Sequence, residues 1–172
     1  MSKLDDLKNM KFKINWELIK IGYYGRNSIP PQLTKEDVVN YAEKEIENAE
    51  QKNYVPLSGL ILNSKSDSEF RENLNLLSEY NVFDIELEYR KWRVYLVNCE
   101  LKNISPNYIE GLLQLNELWV SLGMPSDSPH IIQGRNNAIN PQEYYSQEMF
   151  DFVFSLNSQW VSQEIQDILC NQ

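Results

Sequence analysis

Residues 90–125, RKWRVYLVNCELKNISPNYIEGLLQLNELWVSLGMP, carry apolar side chains at helical spacing on both sides of a Ser-Pro pair. In the first half, Trp92, Leu96 and Cys99 recur at i, i+4 and i+7. The apolar residues of the second half are Ile109, Leu112, Leu113, Trp119 and Val120. Because this spacing puts apolar side chains on one face of a helix, we expect two helices that face each other in the core.

The sequence also marks the boundaries of these two helices. Ser105 can cap the second helix, and Pro106 fits its first position because a proline there loses no helical hydrogen bond. Gly123 and Pro125 are typical of the residues that end a helix. We expect the core to bury the following side chains together: Trp92, Leu96, Leu112, Leu113, Trp119, Phe152 and Leu156.

The composition is that of a globular chain. The sequence has 172 residues, of which 42% are hydrophobic, and a chain of this size buries roughly 70% of its unfolded surface. We predict an all-α fold, a single-domain multi-helix bundle over residues 1–172. The alternative is a mostly α fold with a small two-stranded ribbon around 55–62 and 83–89, because FDIELEY alternates apolar and acidic residues.

Cap residues mark the other helices. Asn15 and Thr34 are suited to begin helices in the first third of the chain, and Asn140 is followed by a proline that favours a helix start. Asn157 and Ser158 offer another cap. We therefore expect one helix to end at this pair and a final helix to follow.

The cysteines and the N-terminus indicate the compartment. Cys99 and Cys170 fit no metal-ligand spacing, so we expect both to be reduced core thiols. The N-terminal residues lack the apolar run of a signal peptide, and no window has the roughly 18 apolar residues that span a bilayer. These features predict a cytoplasmic protein that does not enter a membrane.

Negative charge is concentrated in the C-terminal part of the chain. The net charge is −9, and residues 104–172 carry one basic residue against eight acidic ones, a net charge of −7. Such a surface repels phosphate backbones and attracts basic proteins. We therefore expect no nucleic-acid binding and a basic protein partner, unless the charge serves only solubility.

The sequence offers little catalytic chemistry. His130 is the only histidine, so the usual nucleophile–base pairs must all include it. Asp127 could orient this ring, but no nucleophile lies near it in the sequence, and we expect His130 to be a hydrogen-bonded surface residue. With one histidine and no phosphate loop or dinucleotide fingerprint, the chain is predicted to hold no metal and no cofactor.

Three acidic residues, Asp84, Glu86 and Glu88, form the best candidate for a catalytic site. On a strand all three would share one face, and on a helix Asp84 and Glu88 would. Either arrangement could bind Mg²⁺ or hold one raised pKa. The basic residues around them, Arg90, Lys91 and Arg93, favour instead a surface whose charges neutralise one another.

Tyrosines next to loops or helix starts, and acidic residues of the C-terminal part, are the candidates for contact with a partner. Residues 124–139 form a long loop, and loops of this length often carry function. We expect this loop to form the rim of the contact. The candidate partner-binding residues are Tyr23, Tyr24, Tyr144, Glu143, Glu148 and Asp151.

One sequence pattern resembles a known family. It consists of Trp92-x₃-Leu96-x₄-Leu101, then Leu115-x₂-Leu118-Trp119, and the turn Gly123-Met124-Pro125. This pattern resembles the bacterial domain of unknown function 2247 (DUF2247). The resemblance rests on packing residues and implies no activity and no site residues.

Small acidic single-domain proteins are also similar in general character to immunity proteins that neutralise toxins secreted by competing bacteria. The leading hypothesis is therefore a non-catalytic, immunity-like interaction protein that binds a basic, toxin-like partner through an acidic and aromatic surface. The alternatives are a small metal-dependent or carboxylate-based hydrolase, and a regulatory subunit or homodimeric structural protein. The sequence does not specify the oligomeric state.

Overall fold

The structure, a computed structural model, describes residues 2–62, 66–80 and 83–172. These residues form nine α-helices and one short 3₁₀ helix, Ile46–Asn48. The α-helices are α1 (Lys3–Asn9), α2 (Trp16–Tyr24), α3 (Lys35–Glu45), α4 (Gln51–Leu62), α5 (Asp67–Glu79), α6 (Ile85–Lys102), α7 (Tyr108–Ser121), α8 (Pro141–Tyr144) and α9 (Gln147–Asn171). The predicted all-α fold class is confirmed.

The alternative with a two-stranded ribbon is wrong. Residues 55–62 lie within α4, and residues 85–89 are the first turn and a half of α6. In the described ranges, the only β-type pairing is an isolated bridge between Arg26 and Ile29. The alternation in FDIELEY does not correspond to a buried and an exposed face, because the consecutive residues Leu87, Glu88 and Tyr89 are all buried.

Most of the predicted helix starts are confirmed. The side chains of Asn15 and Thr34 accept hydrogen bonds from the backbone N–H three residues later, at the starts of α2 and α3. The predicted start of α7 is wrong. Asn107 is its cap, and Ser105 donates its hydroxyl proton to Glu110 instead. Pro106 therefore precedes the helix.

The predicted helix break near residue 157 is also wrong, since α9 is continuous from Gln147 to Asn171. Asn157 donates from Nδ2 to the Val153 carbonyl oxygen at 2.8 Å, and Ser158 donates to Phe154 at the same distance. Both side chains bond back to the preceding turn, as polar residues within helices often do. They therefore cap no new helix.

The contacts within the chain divide it into two compact units. The N-terminal unit comprises residues 1–92 with Gln172, and the C-terminal unit comprises residues 93–171. The prediction of a single domain stays a prediction. No helix in the described ranges combines the length and the apolar character that a membrane crossing requires.

The N-terminal unit packs α4 against α3 and α5, and α2 against α5. Trp92 is fully buried in it, and its indole N–H donates to the Leu18 carbonyl oxygen at 2.8 Å. A Cβ at Gly22 would lie 2.4 Å from the Trp92 ring. Glycine is therefore required at this position to let the helix approach the indole.

The C-terminal unit packs α9 against α7 and α8. Its core cluster consists of Leu112, Leu115, Tyr144, Phe150 and Val153. A Cβ at Gly111 would lie 2.4 Å from the Phe150 ring, so a glycine sets the close approach of α7 to that ring. The buried face of α7 therefore lies around Leu112 and Leu115.

The predicted core is only partly correct. Trp92, Leu112 and Trp119 are buried, whereas Leu96 and Leu156 are half-buried. Leu113 is 42% exposed and Phe152 is 51% exposed. Each of these two lies one residue from a buried neighbour, Leu112 or Val153, and one residue is a rotation of about 100° on a helix. The rotation turns both side chains out of the core.

Candidate functional site

An open groove lies in the C-terminal unit, where α8 is followed by the first turns of α9. Its volume is 520 Å³. Three of its lining residues are apolar (Ile139, Met149 and Phe152) and three are polar (Glu143, Ser146 and Glu148). A concave apolar surface with a few polar groups is the usual form of a binding site. We call this feature the acidic groove.

Capping interactions shape the acidic groove. Asn140 Oδ1 accepts the Glu143 N–H at 2.9 Å, and the Glu143 carboxylate accepts the Asn140 N–H at 3.4 Å, which together form a capping box. Ser146 accepts the Met149 N–H at 3.2 Å and donates its hydroxyl proton to the Glu143 carbonyl oxygen. The starts of α8 and α9 therefore lie only six residues apart. Their capping bonds position Glu143 and Met149, which both line the acidic groove.

The charge of the C-terminal unit is strongly negative. Residues 93–171 contain three basic and nine acidic residues, a net charge of −6. One of the three basic residues, Arg93, is buried and binds the Asp127 carboxylate at 2.6 Å and Glu164 at 3.3 Å. Glu148 is exposed, and no ion pair reaches it from the described residues. Its charge is therefore available to a cation.

The structure brings together two of the predicted partner-binding residues, Glu143 and Glu148, in the lining of the acidic groove. Asp151 is exposed on the same helix as Glu148 and accepts from Gln147 at 2.9 Å. The apolar lining was missed, because Phe152 was assigned to the core. The available signal was its position one helical turn after Glu148 and next to Asp151.

Tyr144, one of the three tyrosines predicted to contact a partner, does not line the acidic groove. Tyr144 is fully buried, and its hydroxyl lies 2.8 Å from both Asn116 Oδ1 and the Ile131 carbonyl oxygen. The side chain of Tyr144 therefore belongs to the core, and its contact with a partner stays a prediction. Burial raises the pKa of Tyr144 to about 12. Its hydroxyl is therefore neutral at physiological pH.

Tyr23 and Tyr24 belong to the N-terminal unit, where both are half-buried. Their ring centroids are 5.1 Å apart, and the Tyr23 ring also packs on Phe70 at 5.3 Å. The Arg71 guanidinium lies 5.9 Å from the Tyr24 ring centroid. Burial raises the pKa of Tyr24, against the opposite effect of Arg71. These contacts hold the two rings in place within the N-terminal unit.

His130 is hydrogen-bonded, as expected, but the prediction that it lies on the surface is wrong. The residue is 7% exposed, and burial lowers the pKa of its imidazole to about 4. Its Nε2 lies 2.7 Å from Asn116 Oδ1, and its Nδ1 lies 3.4 Å from Asn157 Nδ2. Asp127 does not orient the ring, because its carboxylate binds Arg93.

The candidate catalytic carboxylates do not form one site. Asp84 Oδ1 accepts the N–H groups of Glu86 and Leu87 at 3.0 and 3.1 Å, which makes it a cap for α6. Glu86 is exposed, whereas Glu88 is buried and lies 2.9 Å from Lys91 Nζ. Within the described ranges, no group of three or more His, Cys, Asp or Glu side chains could hold a metal ion.

Both cysteines are free, but only one is near the core. Cys99 is half-buried and Cys170 is exposed. The prediction of two core thiols is therefore wrong for Cys170, which lies on the outward face of the last turn of α9.

Fold and site together define an all-α protein whose C-terminal unit carries an acidic groove with an exposed aromatic side chain. The chain belongs to a bacterial family, described as "Uncharacterized protein conserved in bacteria (DUF2247)", whose model matches residues 4–169. The resemblance of the sequence pattern to DUF2247 is thereby confirmed. Comparisons with curated proteins and with solved structures gave no match.

Proposed function

We propose that this protein is a non-catalytic, immunity-like interaction protein that binds a basic protein partner in the acidic groove. The observation that carries the proposal is the placement of Phe152, which is 51% exposed and lines the groove beside Glu148 and Glu143. Aromatic side chains are frequent energetic centres of interfaces. Acidic groups at the edge of such a centre select a partner that is both apolar and cationic.

The charge of the C-terminal unit supports a basic partner over other macromolecules. Its net charge of −6 attracts and steers a cationic protein and repels a phosphate backbone. A second copy of the chain would bring like charges together at the groove, which costs affinity. We therefore propose a basic, toxin-like protein as the partner, met in the reducing cytoplasm where the free thiols Cys99 and Cys170 persist.

The hydrolase alternative has less support. Of its three carboxylates, Asp84 caps a helix and Glu88 pairs with Lys91 in the interior. Burial raises the pKa of Glu88, and the hydrogen bond and charge of Lys91 oppose that effect. These contacts are those of structural residues, and they leave the interaction hypothesis as the better supported one.

A synthetic amphipathic helical peptide of leucine and lysine is a suitable probe of the groove. We expect it to bind the protein, whereas the same peptide with glutamate in place of lysine should not. Neutralising the acidic edge with Glu143→Gln, Glu148→Gln and Asp151→Asn together should weaken binding about tenfold, which corresponds to about 1.4 kcal/mol. Glutamine also keeps the capping interaction at residue 143.

The matched control neutralises three exposed acids of the same unit outside the groove: Glu110→Gln, Glu117→Gln and Asp167→Asn. It has the same net charge as the test variant and should keep nearly wild-type affinity. Raising the ionic strength from about 0.05 to 0.5 M shortens the Debye length from roughly 14 to 4 Å, so association should slow while dissociation changes little. Equal losses in both variants, or a salt-independent association rate, would contradict the proposal.

A further inference from the structure

We propose that neutral His130 is the positioning residue of the acidic groove, because it joins the loop before α8 to Asn116 of α7 and Asn157 of α9, and Asn116 in turn contacts Tyr144 of α8. The inference rests on the proposed function, since it concerns the geometry of the same groove. Ile139 and Glu143, which form one side of the lining, belong to the segment that His130 and Tyr144 anchor. The hydrogen bonds of His130 to Asn116 and Asn157 determine the position of its imidazole and also which ring nitrogen is protonated.

Trp119 determines the acceptor side of the imidazole. Its indole Nε1 can only donate, and it lies 2.6 Å from Asn157 Oδ1. The amide of Asn157 must therefore turn its Nδ2 the other way, where it donates to the Val153 carbonyl oxygen at 2.8 Å and faces His130 Nδ1 at 3.4 Å. Since Asn157 Nδ2 is a donor, His130 Nδ1 has to be the unprotonated acceptor.

Asn116 determines the donor side. Its Oδ1 accepts from His130 Nε2 at 2.7 Å and from the Tyr144 hydroxyl at 2.8 Å. The Tyr144 hydroxyl lies equally close to the Ile131 carbonyl oxygen, next to His130 in the chain. Tyr144 is the last residue of α8 and follows Glu143 directly. The ring in this tautomer therefore links the loop to α7 and α9, and Asn116 extends the link to Tyr144 of α8.

The groups that face the imidazole are uncharged. The ring bonds to Asn116 of α7 and Asn157 of α9, the Tyr144 hydroxyl of α8 contacts Asn116, and the acidic residue of the loop, Asp127, is paired with Arg93. Burial alone depresses the pKa of His130, to about 4. A second proton on the ring would point an N–H at the Asn157 amide N–H, which has no room to turn because Trp119 holds it. Burial and the orientation of the Asn157 amide therefore both favour the neutral imidazole of His130.

Nuclear magnetic resonance of the chain's single histidine tests the tautomer directly. We expect ring ¹⁵N shifts that show Nε2 protonated and Nδ1 bare, with a titration midpoint near 4 in place of the usual value of about 6.5. A midpoint near the usual value, or a mixture of tautomers, would overturn the inference.

Binding and hydrogen exchange test the positioning. His130→Phe, which keeps a ring but loses both nitrogens, should weaken binding of the leucine–lysine peptide about tenfold and speed amide exchange over residues 131–146. His130→Gln, which can still donate to Asn116, should recover most of the affinity. Tyr144→Phe removes only the hydroxyl and should give a smaller change in the same direction if His130→Phe fails to fold.

The outcomes separate this inference from the proposed function. If wild-type protein does not bind the peptide, the proposed function is wrong, and the tautomer and exchange measurements still decide the role of His130. If wild-type protein binds but His130→Phe and Tyr144→Phe leave both affinity and exchange unchanged, the positioning role is wrong while the groove stands.

Discussion

Lys91→Met should lower the free energy of unfolding by about 3–5 kcal/mol, the usual cost of removing one partner of a buried ion pair. Lys91 and Glu88 are both buried, and Lys91 Nζ lies 2.9 Å from each carboxylate oxygen of Glu88. Lys91 also donates to the Lys13 carbonyl oxygen at 3.0 Å. Methionine fills the volume but leaves the Glu88 charge and the Lys13 carbonyl without this donor.

Urea unfolding of the variant at neutral pH measures this effect, and the double variant Glu88→Leu/Lys91→Met is the control. Because the double variant removes both charges, it should lose much less stability than the single one. The pKa of Glu88 is already raised by burial and should rise further without Lys91, so the folded state binds more protons than the unfolded state. The deficit should therefore shrink as the pH falls. A double variant as unstable as the single one would contradict this view.

Leu115→Ala should lower the free energy of unfolding by about 2–5 kcal/mol, the range for removing a large apolar side chain from a core. Leu115 is fully buried in the cluster with Tyr144 and Phe150. The same substitution at Leu113, two residues away on α7, should cost less than about 1 kcal/mol, because that side chain is 42% exposed. Because both variants replace leucine with alanine in the same helix, the difference between their free energies of unfolding measures the effect of burial.

Thermal or denaturant unfolding of the two variants in parallel measures the difference. Similar losses for Leu113→Ala and Leu115→Ala would show that the face of α7 assigned to the core is wrong. A large loss of stability for Leu113→Ala alone would instead support the sequence-based prediction that Leu113 is buried in the core.

Helix starts could be read from the sequence because their causes are local. Asn15 and Thr34 each bond a backbone N–H three residues away, so nothing outside the helix is needed to recognise them. The buried face of α7 could not be read in the same way. Its apolar residues cover a broad arc, and the approach of Phe150 to Gly111 from another helix decides which part of that arc is covered.

The buried polar residues were missed for a related reason. The partners of His130 and Arg93 lie far along the chain, with separations of 27 residues for His130–Asn157 and 71 for Arg93–Glu164. A lone histidine in a loop is usually exposed, and only the tertiary contacts make it a core residue. By contrast, Glu143 and Glu148 could be selected from the sequence because they belong to its most acidic part, and both line the groove.

The most direct test of the acidic groove is the affinity of the leucine–lysine peptide for Phe152→Ala compared with Val120→Ala. Both side chains are more than half exposed, at 51% and 58%, so neither change should disturb the fold. Phe152 lines the groove and Val120 does not. We expect the dissociation constant to rise at least about tenfold for Phe152→Ala and to stay within about twofold for Val120→Ala. Unchanged affinity of Phe152→Ala, or equal losses in both variants, would contradict a partner-binding role for the groove.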